Sequence, residues 1–101
     1  MKWHKLLKAL KSSLPSGSVT TYYNLSVYFF GHSKAGQAVR SMLQAAVNHD
    51  LKNAQYTNRV VHKNGKVADV NGQKEQLLSE GLPIVNSSID LSKVKVVTFY
   101  L

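Results

Sequence analysis

Residues 22–48 read YYNLSVYFFGHSKAGQAVRSMLQAAVN, and this stretch decides the fold. Its first part, Tyr22 to Phe30, is apolar enough for a packed helix, with Tyr22, Leu25, Val27, Tyr28 and Phe29 supplying the buried side. Thr20 or Thr21 can cap it, because a hydroxyl oxygen there accepts an otherwise unpaired backbone N–H. Gly31 suits the position just past the last turn, where the backbone takes a positive φ. Ser33 can cap a further helix running from Lys34 to about Asn48. In it Ala35, Ala38, Val39, Met42, Ala45 and Ala46 recur at helical spacing, while Gln37, Arg40, Ser41 and Gln44 lie largely on the other side. Two helices joined by a short glycine-containing turn, the second polar on one face and rich in small residues on the other, predict a helix-turn-helix.

The flanking sequence extends this reading. Met1 to Lys11 is an amphipathic helix, with Lys2, Lys5, Lys8 and Lys11 on one face and Trp3, Leu6, Leu7 and Leu10 on the other. Such a pattern fits a first helix packed on a core or one lying on a membrane surface. A helix this short binds membranes weakly by itself, so packing is the expectation. Ser12 to Ser18 (SSLPSGS) is a turn segment. His49 to Thr57 reads as a polar loop. Asn64-Gly65 lies between the β-prone runs of Arg59 to Ala68 and predicts a type I′ hairpin, which needs positive φ at both central positions. After a helix-turn-helix, a basic hairpin with Lys63 and Lys66 at its tip reads as a wing. Gln73 to Glu80 predicts a short helix ended by Gly81, and Val94 to Leu101 a terminal strand.

Composition narrows the function classes. The chain has 101 residues, 44% of them hydrophobic, which suits a single domain spanning 1–101. Thirteen Lys+Arg against five Asp+Glu leave a formal charge of +8, a balance typical of proteins that meet a polyanion. The eleven lysines give diffuse phosphate attraction. The two arginines, Arg40 and Arg59, are the better candidates for specific contacts, because a guanidinium carries a fixed fork of donors. There is no cysteine, which excludes disulfides, cysteine-ligated metals and a cysteine nucleophile. His4, His32, His49 and His62 show no metal-ligand spacing, and Asp50, Asp69 and Asp90 form no evident acid/base pair. No cofactor and no metal are expected. No apolar run is long enough to span a bilayer, and the N-terminus lacks the apolar stretch of a secretion signal, so a cytoplasmic location is expected.

Four segments, in order, resemble the DNA-binding domain of the O6-alkylguanine-DNA alkyltransferases. Residues 14–22 (LPSGSVTTY) resemble the family's I-P-x-G-x-V-x-T/S-Y, and residues 31–39 (GHSKAGQAV) its G-x-P-x-A-A-R-A-V-G helix. Residues 58–65 (NRVVHKNG) resemble P-C-H-R-V-V-x-x-x-G, and residues 77–81 (LLSEG) resemble L-L-x-x-E-G. Ile89-Asp90-Leu91 is similar to the tail of the non-catalytic branch, the alkyltransferase-like proteins. The resemblance implies a mainly helical α/β winged helix-turn-helix domain of the alkyltransferase C-terminal type, with a small β-hairpin wing. It also implies docking in the DNA minor groove, where a helix arginine replaces a flipped-out guanine and a tyrosine helps rotate the nucleotide.

Carried over position by position, Tyr22 matches that tyrosine, Arg59 the arginine after the catalytic histidine, and Glu80 the glutamate. Thr57 stands at the cysteine, Asn58 at the histidine, Tyr56 at the proline and Gln37 at the intruding arginine. Arg40 falls one helical turn later. A threonine hydroxyl needs a strong adjacent base to attack an alkyl group, and Asn58 is none. No enzymatic activity is therefore expected. The implied DNA-binding surface is Tyr22, Ser33, Lys34, Gln37, Arg40, Ser41, Gln44, Arg59, Lys63 and Lys66. The implied, degenerate lesion pocket is Tyr22, Thr57, Asn58, Arg59 and Glu80. The expected function is a chromosome-associated monomer, several copies of which can lie along duplex DNA, that senses O6-alkylguanine and presents it to nucleotide excision repair. The alternative is an architectural, chromatin-type binder with a vestigial pocket. No membrane partner is expected.

Overall fold

The computed structural model describes residues 3–99. Helix α1 (Trp3–Ser13) leads through a turn into strand β1 (Ser18–Thr21), and β1 passes without a loop into α2 (Tyr22–Phe30). Helix α3 (Gly36–His49), a 3₁₀ turn (Leu51–Asn53) and the short α4 (Ala54–Thr57) follow, then β2 (Val60–Val61) and α5 (Gln73–Ser79). The chain ends with β3 (Ile84–Val85), β4 (Ser88–Ile89), a second 3₁₀ turn (Leu91–Lys93) and β5 (Lys95–Val96). Met1 and Lys2 of the predicted first helix, and Tyr100 and Leu101 of the predicted last strand, lie outside the described residues. The result is a small, mostly helical α/β fold.

Strand β1 is the centre of a three-stranded parallel sheet in the order β2-β1-β5, with Thr20 opposite Val60 and Ser18 opposite Lys95. Successive strand residues point to opposite faces, so Val60 and Val61 enter different cores. Val60 joins Leu6, Leu10, Leu14, Leu25, Val39 and Leu43 beneath the helices. Val61 joins Val19, Val67, Leu77, Leu82 and Ile89 on the opposite side. No helix among the described residues is long and apolar enough to cross a membrane.

The two predicted helices form, and the caps show what determines them. Thr21 caps α2, its hydroxyl accepting the Asn24 N–H at 3.0 Å, and Gly31 closes it in the left-handed region at φ 76°. Ser33 does not cap α3, which starts at Gly36 rather than Lys34. No side chain caps it; the buried Ser26 of α2 instead holds the turn before it, its hydroxyl accepting the Ala35 N–H at 2.9 Å and donating to the His32 carbonyl at 2.6 Å. One buried hydroxyl thus fixes the whole inter-helix turn.

The predicted wing is not formed as a hairpin of β2. Asn64-Gly65 does make a tight turn, closed by Gly65 N–H to His62 O at 2.8 Å and His62 N–H to Lys66 O at 3.1 Å. Only Gly65 has positive φ there (88°), so the turn is not type I′. Pairing does not continue, because on the edge of β2 away from β1 the Val60 carbonyl accepts the Gln73 amide at 2.8 Å, and Lys66 and Val67 turn instead to residues 87 and 88. The type I′ geometry occurs at Asn86-Ser87, with φ 52° and 58°, between β3 and β4. The predicted loop 49–57 is helical for most of its length. Asp50 caps the 3₁₀ turn through Lys52 N–H at 3.0 Å, and Asn53 donates to the Ala46 carbonyl at 2.8 Å. The predicted strand 94–101 is regular only at Lys95–Val96.

Candidate nucleic-acid interface

The parallel register of β1 and β2 sets residues 22 and 62 side by side at the carboxyl ends of adjacent strands. The Tyr22 and His62 rings lie 5.1 Å apart. Ligands of open α/β sheets commonly bind at such strand ends. Beside Tyr22 opens a cleft of about 350 Å³, within the ~300–1,000 Å³ range of small-ligand pockets. Gln37, Arg40, Ser41 and Gln44 of α3 form one wall, spaced so that one helix face presents all four. Thr57 and Asn58, at the end of α4, form the floor, and Val70 and Asn71 the far side.

The amides of the floor are paired. Asn58 Nδ2 donates to the Asn71 carbonyl at 3.0 Å and to Gln76 Oε1 at 2.9 Å. The buried Gln73 amide donates to the carbonyls of Asn58 and Val60, both at 2.8 Å, and accepts from the N–H groups of Ala68 and Asp69. Asn71 in turn donates to Gln44 Oε1 at 3.1 Å. By contrast, the Tyr22, Ser41 and Thr57 hydroxyls, the Gln37 amide and the Arg40 guanidinium make no hydrogen bond within the described residues. Five polar groups therefore converge on one cleft with their hydrogen-bonding capacity open.

Charge in and around the cleft is positive. Burial raises the Tyr22 phenol above its ordinary value, against the pull of the Arg40 charge, so it remains a neutral hydroxyl. Burial, then the charges of Arg40 and Lys66, lower His62, so its imidazole is neutral at pH 7. Lys63 and Lys66 are exposed on either side of the Asn64-Gly65 turn, with Lys63 Nζ 4.6 Å above the Tyr23 ring. Ser33 and Lys34 are exposed in the turn before α3.

Two predicted site residues belong elsewhere. Arg59 is not on the surface. Its guanidinium donates to Glu80 at 3.0–3.1 Å and to the Leu14 carbonyl at 3.0 Å, with side-chain exposures of 10% and 8% for the pair. Its burial and its pairing with Glu80 give Arg59 a structural task. Glu80 also accepts the Gly17 N–H at 3.0 Å and Gln76 Nε2 at 2.9 Å. Burial alone would raise its carboxyl, but the hydrogen bonds of Arg59, Gly17 and Gln76 and the Arg59 charge together hold it below the usual range. Glu80 touches the cleft only through Gln76, which bridges it to Asn58. The sequence reading missed His62, Val70, Asn71 and Gln73. The β-prone run ending at Val61 was the signal for His62, since the residue after a strand end sits at its mouth. Compared with protein-family models and with curated proteins, the chain matches none at a significant level.

Proposed function

We propose that this protein binds double-stranded DNA without catalysis, laying the polar face of α3 into the minor groove and offering the cleft to a displaced base. The observation that carries this reading is the convergence of Tyr22, Gln37, Arg40, Ser41 and Thr57, all with unengaged polar groups, on one cleft beside a cationic surface. Tyr22, Gln37 and Thr57 are positions that the alkyltransferase resemblance ties to nucleotide rotation, stacking and alkyl transfer. The minor groove shows a degenerate donor and acceptor pattern, so affinity comes mainly from phosphate contacts and sequence matters little. Alkyl transfer is outside this reading. The hydroxyl of Thr57 has an amide, Asn58, as its neighbour, and the Glu80 carboxylate is engaged by Arg59, Gly17 and Gln76.

In this reading the protein recognises O6-alkylguanine and marks it for excision repair. The architectural alternative draws on Gln37, which is exposed and uncharged where a stacking arginine would fill the vacated base position. Base extrusion costs a few kcal/mol, which cleft contacts must offset.

Fluorescence anisotropy on two short duplexes, identical except for one O6-methylguanine, separates these at several salt concentrations. With about four to six phosphates neutralised, log K should fall with log salt at a slope of roughly −4 to −5. A preference for the modified duplex supports lesion sensing. Equal, salt-steep binding supports the architectural role. Binding that ignores salt refutes both.

A further inference from the structure

Next to the cleft, beyond the residues discussed as its lining, lies an open depression of about 610 Å³ formed by His62, Lys63, Asn64 and Lys66. Its backbone is tightly held. Gly65 N–H bonds His62 O, His62 N–H bonds Lys66 O, and Asn64 Oδ1 accepts the Lys66 N–H at 3.0 Å. The turn therefore brings two exposed lysines, Lys63 and Lys66, to the same depression as the half-buried His62 imidazole. The groups facing His62 are Tyr22 from α2, whose ring is 5.1 Å away, Arg40 from α3, and Lys66 from beyond the turn, with Lys63 adjacent in the chain. No carboxylate contributes to its field.

We infer that this depression seats a DNA backbone phosphate and that His62 takes up a proton when the phosphate arrives, making DNA binding by this protein proton-linked. The inference rests on the DNA-binding reading above. Its physics is direct. In the free protein two cations oppose protonation of the imidazole, which stays neutral. A phosphate seated beside His62 and Lys66 offsets the cationic field of Lys66 and Arg40 and offers the imidazolium an acceptor, so the charged form is favoured in the complex. By linkage, each pH unit by which DNA raises the His62 pKa gives about tenfold in affinity below both values. Affinity is thus gained as pH falls from the bound-state pKa towards the free-state pKa, and above the bound-state value His62 contributes nothing.

The test combines two measurements on the full chain. Imidazole resonances of His62 are titrated by NMR, free and bound to an unmodified duplex. Anisotropy then gives affinity between pH 7.5 and 5.5 at fixed ionic strength for wild type and His62→Gln. The expected result is a His62 pKa raised by at least about one unit in the complex, and about a tenfold affinity gain towards low pH that His62→Gln lacks. His4, His32 and His49 remain in that variant as internal controls. An unchanged His62 pKa in a complex that does form overturns the proton linkage and leaves the DNA-binding reading standing. A pH dependence retained in His62→Gln does the same. Absence of duplex binding at every pH overturns both. The NMR arm uses wild type, so the outcome stands even if the variant disturbs the turn.

Discussion

Replacing Glu80 by Ala should destabilise the protein more than any change to the cleft. In the native protein its two oxygens take Arg59 Nε at 3.1 Å each, Arg59 Nη2 at 3.0 Å, the Gly17 N–H at 3.0 Å and Gln76 Nε2 at 2.9 Å. The alanine leaves a guanidinium buried with one carbonyl, Leu14 O, as its remaining partner. Breaking a buried pair from one side costs about 3–5 kcal/mol, because the surviving charge is uncompensated. For a domain of this size, each kcal/mol moves Tm by roughly 4–8 °C, so a drop of more than about 12 °C is expected. Urea denaturation followed by circular dichroism measures the loss. Acid supplies an independent arm. The unfolded carboxyl titrates near 4.5 and the folded one lower, so the stability it confers is present in full above the unfolded value and is lost as pH falls through the folded value. Glu80→Gln should flatten that acid limb. A loss below about 1 kcal/mol for Glu80→Ala, or an unchanged acid limb for Glu80→Gln, would refute the assignment of this pair as the joint between the Gly17 loop, β2 and α5.

Gly65→Ala should cost more than about 2 kcal/mol in the same urea assay, from positive-φ strain and a collision of the new Cβ with the Ile89 carbonyl oxygen. Gly36→Ala, which meets nothing, should stay within about 1 kcal/mol of wild type and serves as its control. Arg40→Ala should weaken binding to any duplex and make the salt slope shallower by about one unit, measured by anisotropy against salt. Tyr22→Phe removes an unengaged hydroxyl without altering charge; it should leave affinity for unmodified duplex within about twofold and lower only the preference for O6-methylguanine, and an equal loss on both duplexes would count against base rotation.

What could be read from sequence was what is decided locally. Helix α2 was legible at both ends because Thr21 and Gly31 act within a turn of their own positions. The start of α3 was not, because no side chain caps it and the turn before it is held by Ser26, which reaches the Ala35 N–H from nine residues away. Strand β1 is four residues, all buried, and carries no alternation to betray it. The choice of partner for β2 is likewise nonlocal: Asn64-Gly65 encodes a turn, but the edge of β2 that could pair back across it is met by the Gln73 amide, thirteen residues beyond Val60. The cleft wall was legible because α3 periodicity puts Gln37, Arg40, Ser41 and Gln44 on one face. Arg59 was misplaced because its partners, Leu14 and Glu80, stand 45 and 21 residues away. An isolated arginine in a basic chain looks like a surface contact until its carboxylate is located.

The amide network under the cleft bears on how such a site would discriminate. Between Thr57 and Glu80 the chain of contacts runs through Asn58 and Gln76, two neutral amides with defined donors and acceptors. No proton can be relayed along it at neutral pH, and its charge does not change with solvent conditions. If the protein binds duplex DNA as proposed, attraction would come from Arg40 in the wall and from Lys34, Lys63 and Lys66 around it, which salt screens. Selection among bases would come from the floor and Tyr22, through hydrogen-bond geometry that salt hardly touches. The proposed function would then divide affinity and selectivity between separate sets of residues, and raising the salt should lower the first while leaving the ratio between two duplexes constant. The paired amides of Asn58, Gln73 and Gln76 give the floor a defined set of neutral donors and acceptors, which is what the proposed binding role asks of it.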